Sequence, residues 1–184
     1  MDANPDKLVE IRSLRWPEDR EYLLRLDTSF STDRIFRLNH SDQSFSIEEL
    51  QVSPRIRKTY SIKEAVDSLP LLGWTTVAVE NNSIAGVIAV KLENWNRRAE
   101  IHHLYIAPQA RRKGIGRMLI EAALQHARGC QMRSVLVETQ TINYGAIKFY
   151  ERLGFTLCGF DTSLYDPGDV LDGEIALFFE RTII

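Results

Sequence analysis

Residues 100–120 constrain this chain most: Glu-Ile-His-His-Leu-Tyr-Ile-Ala-Pro-Gln-Ala-Arg-Arg-Lys-Gly-Ile-Gly-Arg-Met-Leu-Ile. The stretch opens as a strand, because Ile101, Leu104 and Ile106 are bulky and apolar and Tyr105 is aromatic. Pro108 has no N–H and stops ladder pairing. A basic turn carrying Gly114 and Gly116 follows. Beyond it Ile115, Met118, Leu119, Ala122, Ala123 and His126 recur at helical spacing, which predicts a helix over about 114–128. The turn therefore sits at a helix N-terminus, where unpaired N–H groups and the positive dipole end collect. Arg111, Arg112, Lys113 and Arg117 surround it, and glycine lets an anion approach the backbone. The arrangement is an anion cradle, or else an ordinary strand-to-helix turn with a solvated basic face.

Two phosphate loops are excluded. Gly-x4-Gly-Lys-Ser/Thr is absent, and Gly-x-Gly-x-x-Gly fails because position 119 is Leu. What remains is Arg-x-x-Gly-x-Gly (Arg111, Gly114, Gly116) after Leu-x-Ile-x-Pro (Leu104, Ile106, Pro108). This pattern resembles the acetyl-CoA pyrophosphate loop of the GNAT superfamily of N-acetyltransferases. The resemblance implies acetyl-CoA as co-substrate and no metal. It assigns cofactor binding to Leu104, Tyr105, Ile106, Arg111, Arg112, Lys113, Gly114, Ile115, Gly116 and Arg117.

A chain of 184 residues is expected to form a single domain, residues 1–184, burying roughly 70% of its unfolded surface. A net charge of −2 argues against general nucleic-acid or membrane binding, so the basic cluster suits a small polyanion. Cys130 and Cys158 make neither a disulfide framework nor a metal site, and reduced thiols in a cytoplasmic protein are expected. Met1 is followed by Asp, Ala, Asn, Pro and Asp, without the apolar stretch of a leader. No apolar run approaches the ~20 residues that span a bilayer.

Along the chain, Val9–Leu14 reads as a first strand. Pro17 suits the first turn of a helix with Tyr22, Leu23 and Leu26 on its apolar face. Residues 27–33 have turn chemistry, and 35–38 and 45–47 flank a hairpin turn at His40–Gln43. Residues 53–63 are basic and ambiguous, and Glu64–Leu69 reads as a short helix ended by Pro70. Strands are expected at Trp74–Glu80, Ile84–Leu92, Ala99–Ile106, Ser134–Thr139, Phe155–Phe160 and Gly173–Phe179, with a second main helix from Asn143 to Arg152 stopped by Gly154. This order gives an α/β fold. With the resemblance it becomes a GNAT-type mixed, mostly antiparallel central sheet with helices on both faces.

A second motif supports the first. Asn143, Ala146, Phe149, Tyr150, Gly154 and Phe155 match the GNAT pattern Asn-x-x-Ala-x-x-Phe-Tyr-x-x-x-Gly-Phe. The resemblance implies that Asn143, Ala146 and Phe149 line the pantetheine arm and that Tyr150 protonates the departing thiolate. A phenol within hydrogen-bond reach is a competent acid for that step. Alone, Tyr150 would read as a core aromatic on an amphipathic helix.

Further segments, Phe155–Asp166, Leu136–Gln140, Trp95–Arg98 and Ser29–Arg37, are similar to the streptothricin (nourseothricin) acetyltransferase branch. That branch acetylates an amine of the antibiotic's β-lysine moiety, so the partner implied is a small-molecule amine. The chain departs from it at His102-His103, where an adjacent Glu-Asp pair is expected. Strand alternation puts Glu100, His102 and Leu104 on one face and Ile101, His103 and Tyr105 on the other. Glu100 and His102 are the expected deprotonation site. Glu138 competes as base or as an amine-binding carboxylate, against a solvated strand end. His103 is expected in the opposite layer as a hydrogen-bonded core histidine, and a His102/His103 metal site is not expected because strand neighbours point apart. His40 and His126 read as residues without a role. Asp161, Tyr165 and Glu174 line the acceptor pocket by resemblance, with surface roles equally open.

Direct transfer in a ternary complex is expected, since neither cysteine lies in a nucleophile motif. A backbone N–H near Leu104 or Tyr105 would polarise the carbonyl. Two other readings stay open, a protein N-terminal or lysine acetyltransferase and a non-catalytic CoA-binding module. So does association into a homodimer.

Overall fold

The structure, a computed structural model, describes residues 9–171 and 173–184. The leader reading of residues 1–6 lies outside them. The chain divides into two compact units, each drawn from separate stretches. One comprises a segment ending at Ser29 together with Thr59–Val135 and Ile183–Ile184; the other comprises Phe30–Lys58 and Leu136–Thr182.

In the first unit, strands β1 (Glu10–Ser13), β4 (Trp74–Glu80), β5 (Ser83–Glu93) and β6 (Arg98–Ile106) lie in that order, each antiparallel to its neighbour. Asn81 and Asn82 both take positive φ, 52° and 60°, as a tight two-residue turn between β4 and β5 requires. Helix α3 (Ile115–Gly129) buries Ile115, Leu119, Ile120, Ala123, Leu124 and Ala127, one stripe at helical spacing. Gly86 explains how closely it packs. A Cβ there would sit 2.6 Å from Ile106 Cδ1, 3.0 Å from the Tyr105 carbonyl and 3.2 Å from Leu119 Cδ1. Two short helices complete the unit, α1 (Arg20–Leu24) and α2 (Ile62–Ser68).

Helix α1 starts three residues later than Pro17 suggested. Leu23 and Leu26 are buried as expected, but Tyr22 is half exposed. Asp19 is buried instead. It accepts two hydrogen bonds from the Arg12 guanidinium (2.7 and 2.8 Å) and one from the Arg15 N–H (2.7 Å). The Arg12 bond is the main cause that holds its carboxyl below the usual range.

In the second unit, β2 (Phe30–Ser41) and β3 (Ser44–Lys58) form a long antiparallel hairpin. Part of the stretch read as turn chemistry, 30–33, and part of the ambiguous basic stretch, 53–58, are thus strand. Ladder pairing with a partner overrode their weak local signals. Strand β7 (Ser134–Gln140), which begins in the first unit, β9 (Ala176–Thr182) and β8 (Thr156–Asp161) lie side by side in that order. Helix α4 (Tyr144–Arg152) buries Ile147 and Tyr150, and Gly154 follows it at φ +79°. Among the described residues no helix is long and apolar enough to cross a membrane.

Candidate active site

After Pro108–Ala110, a single 3₁₀ turn, the chain bends through Arg111–Lys113 into α3. Arg112 takes φ +61° and Gly114 φ +84°, a left-handed conformation that favours glycine at the helix cap. Among the described residues no side chain caps the first turn of α3, and that turn contains no acid. Its N–H groups and positive dipole end are therefore left for an external anion. Arg112, Lys113 and Arg117 are exposed around it, while Ile115 is buried as an anchor of the helix. These residues fit a diphosphate.

Arg111 is tied to the backbone at two points. Its Nε donates to the Ile106 carbonyl (2.9 Å) and its guanidinium to the Ser29 carbonyl (2.6 Å). It fastens the bend to the end of β6. Lys113 is drawn to Glu80, 3.1 Å from Nζ to Oε2.

On β6 the expected alternation fails at one residue. Ala89 of β5 faces His103 and Val90 faces Ile101, so His102 is a bulge without a partner on β5. The extra residue displaces the register by one. Downstream of it His103 and Tyr105 come onto the face of Glu100, while Leu104 and Ile106 join Ile101. The His102 and His103 rings meet edge to face at 4.7 Å, and His103 stacks with Tyr105 at 5.8 Å. Strand neighbours do not point apart here. His102 Nδ1 lies 3.6 Å from Glu100 Oε1. His103 Nε2 lies 3.1 Å from the Ser68 hydroxyl at the end of α2. Among the described residues no group of three or more His, Cys, Asp or Glu could hold a metal ion.

The ladder also separates the two candidate carbonyl polarisers. The Ala107 N–H donates to the Ala85 carbonyl (2.9 Å) on β5. Antiparallel alternation then turns the Tyr105 N–H toward β5 and the Leu104 N–H away from it.

Burial, with a smaller contribution from His102, pushes the His103 pKa down to about 4. A ring at ~6.5 in the unfolded chain thus stays neutral in the folded one. The stability this supplies is complete above about pH 6.5 and is lost as pH falls through 4. Urea unfolding at pH 7 and pH 4.5 is expected to show this as a loss on the order of 1–2 kcal/mol, after solvent screening of the part-exposed ring. His103→Gln should flatten that limb of the profile, and an unchanged limb would refute the assignment.

The second unit holds the other candidates. Asn143 caps α4, its Oδ1 accepting from the Ala146 N–H at 3.3 Å. Ala146 and Phe149 are half-buried on that helix. The Tyr150 ring is 5% exposed and packs against Phe149 and Phe155, with centroids 5.5 and 5.8 Å away. Glu138 accepts a short hydrogen bond from the Tyr165 hydroxyl. It is a bonded carboxylate and not a solvated strand end. Glu174 is fully buried, paired with Lys58, and its Oε2 accepts from the Leu171 N–H at 3.0 Å. Asp161 closes a local turn, accepting from Ser163 N–H and Oγ at 2.8 and 2.9 Å.

The acetyltransferase (GNAT) family profile matches residues 32–155. A streptothricin acetyltransferase of Streptomyces lavendulae is 34% identical over 176 residues, 92% of this chain and 92% of that protein. This chain is a member of the GNAT acetyltransferase family. Two solved structures resemble the GNAT fold seen here. A nourseothricin acetyltransferase superposes with a TM-score of 0.86 at 34% identity, over 96% of this chain and 99% of that one. A Bacillus anthracis protein assigned as a streptothricin acetyltransferase, solved with acetyl coenzyme A, gives 0.79 at 26% identity, over 97% and 99%.

In this GNAT enzyme, sequence reasoning missed four features. The His102 bulge leaves no mark in composition. Ser68 and Glu80 are ordinary polar residues until their partners His103 and Lys113 are placed. The Lys58–Glu174 pair joins residues far apart in sequence. His126, read as a residue without a role, stacks on Trp74 at 4.7 Å and 10°.

Proposed function

We propose that this acetyltransferase moves the acetyl group of acetyl-CoA onto a primary amine of streptothricin-type antibiotics, in the β-lysine moiety, and so detoxifies them in the cytoplasm. The observation that carries the reading is the 34% identity to the Streptomyces lavendulae enzyme, extending over 92% of both chains. A match of that extent reaches well beyond the loop that GNAT enzymes of many specificities share.

When bound, acetyl-CoA supplies an activated thioester. The chain's own residues have three tasks. The α3 N-terminus with Arg112, Lys113 and Arg117 holds the diphosphate, and Arg111 keeps that bend in shape. The Leu104 N–H, turned away from β5, polarises the carbonyl. Glu100 and His102 take the amine's proton. An alkylammonium with a pKa near ~10.4 is free base in only about 1 of 2,500 molecules at pH 7, so this task weighs on the rate. Tyr150 returns a proton to the departing thiolate. Glu138, already bonded to Tyr165, serves better as a carboxylate that attracts the acceptor cation than as the base.

The test is thiol release followed with DTNB over a panel of amines that includes streptothricin, aminoglycosides and peptides with free N-termini. Streptothricin should give the highest kcat/KM, with the product acetylated once on its β-lysine. Turnover confined to peptide amines would favour a protein acetyltransferase. Coenzyme A binding without any turnover would favour a binding module. Glu100→Gln and His102→Ala should each alter the pH profile.

A further inference from the structure

The Ser68 hydroxyl has one proton to give. It donates to the Ala65 carbonyl at 2.7 Å, closing the last turn of α2. At His103, 3.1 Å away, the same oxygen can only accept. In that arrangement His103 Nε2 carries the hydrogen and Nδ1 the lone pair. A backbone bond three residues back in α2 thus selects the tautomer of a ring on β6.

His103 is a poor candidate for the base itself. A proton passing from an alkylammonium near ~10.4 to a ring at about 4 would face a roughly 10⁶-fold adverse equilibrium. Its neutral ring has another use. It lies edge to face on His102 at 4.7 Å, and His102 Nδ1 in turn lies 3.6 Å from Glu100. Of the titratable groups, His102 and Tyr105 on its own strand pack against the His103 ring, Tyr60 lies beside Tyr105 at 6.1 Å, and Glu100 lies beyond His102. A cation at His103 would oppose a second one forming on His102.

We propose that Ser68 is a positioning residue: by holding His103 through Nε2, it fixes the orientation and tautomer of the ring that packs on His102 and so keeps His102 beside Glu100 while His102 accepts the amine's proton. In that step the ammonium N–H bond breaks, its electron pair stays on the amine nitrogen, and the proton adds to a ring nitrogen of His102. The inference rests on the reading of Glu100 and His102 as the deprotonation site.

Long-range ¹H–¹⁵N NMR of the intact protein tests the lock without any substrate. His103 should show a protonated Nε2 and a bare Nδ1 from pH 5 to 8. Ser68→Ala should mix the two tautomers and lower kcat about 10-fold, with the KM for acetyl-CoA unchanged. Ser68→Thr, which keeps the hydroxyl, should restore both. A proton on Nδ1 in the wild type, or wild-type kcat in Ser68→Ala, would overturn the proposal. If the wild type acetylates amines other than streptothricin, the substrate reading fails, and the Ser68 variants are then judged on those amines. If it turns over no amine, the functional reading and the kinetic half fail together, while the NMR spectrum still decides the lock.

Discussion

Tyr150→Phe is expected to lower kcat by about 10²-fold or more and to leave the fold intact. The ring is what packs: it is 5% exposed and touches Phe149 and Phe155, and phenylalanine keeps those contacts. The substitution removes only the hydroxyl, whose net worth to stability is on the order of 1 kcal/mol. Thiol-release kinetics and urea unfolding on the same preparation separate the two effects. The loss should appear in kcat more than in the KM for acetyl-CoA, because protonation of the leaving thiolate belongs to the transition state. A variant that turns over at the wild-type rate at every pH would remove Tyr150 from the mechanism.

The largest stability effect is expected at Lys58. Its ammonium pairs with Glu174, whose side chain is fully buried. Lys58→Met would leave that carboxylate with the Leu171 N–H and no cation, which costs on the order of 3–5 kcal/mol. Lys58→Met combined with Glu174→Gln should recover most of the loss. The amide still accepts from Leu171, and an uncharged pair carries a far smaller desolvation penalty. Urea midpoints of the two single variants and the double variant form a double-mutant cycle. A Lys58→Met variant within about 0.5 kcal/mol of wild type would show that the pair is solvated. The same cycle reads a wider stretch, because the segment between β8 and β9 that Glu174 anchors also carries Tyr165, the partner of Glu138.

Elements with a strong period or a hard stop were legible in the sequence. Helix α3 announces itself through six residues at helical spacing, of which Ile115, Leu119 and Ala123 are buried while Met118 is exposed and Ala122 and His126 are half-buried, and through the glycine that caps it. Trp74–Glu80 was read with its exact bounds, because two asparagines close its turn. Ser134–Gln140 and Tyr144–Arg152 came out within a residue or so. The β2–β3 hairpin was underestimated by more than half its length. Its outer residues are mostly exposed and polar, so they show neither an apolar period nor a breaker, and only pairing makes them strand. The candidate site divides in the same way. Residue types and spacing pointed to the bend and to the α4 motif, because glycine, arginine and an aromatic pair have few other reasons to recur in that order. Orientation was beyond reach. Whether Arg111 points outward or back toward Ser29, and which face His103 occupies, depends on partners tens of residues away.

The surplus residue in β6 changes what the unusual histidine dyad means. On a regular strand an acidic dyad at 102–103 would aim one anion at the acceptor and hide the other. Here the two rings meet, so a Glu-Asp pair would place two negative charges side by side at neutral pH where this chain presents imidazoles. The difference is felt before any chemistry begins, in how strongly a polycation is drawn in. Binding of a polycation by this chain should weaken less with added salt than binding by a His102→Glu/His103→Asp variant.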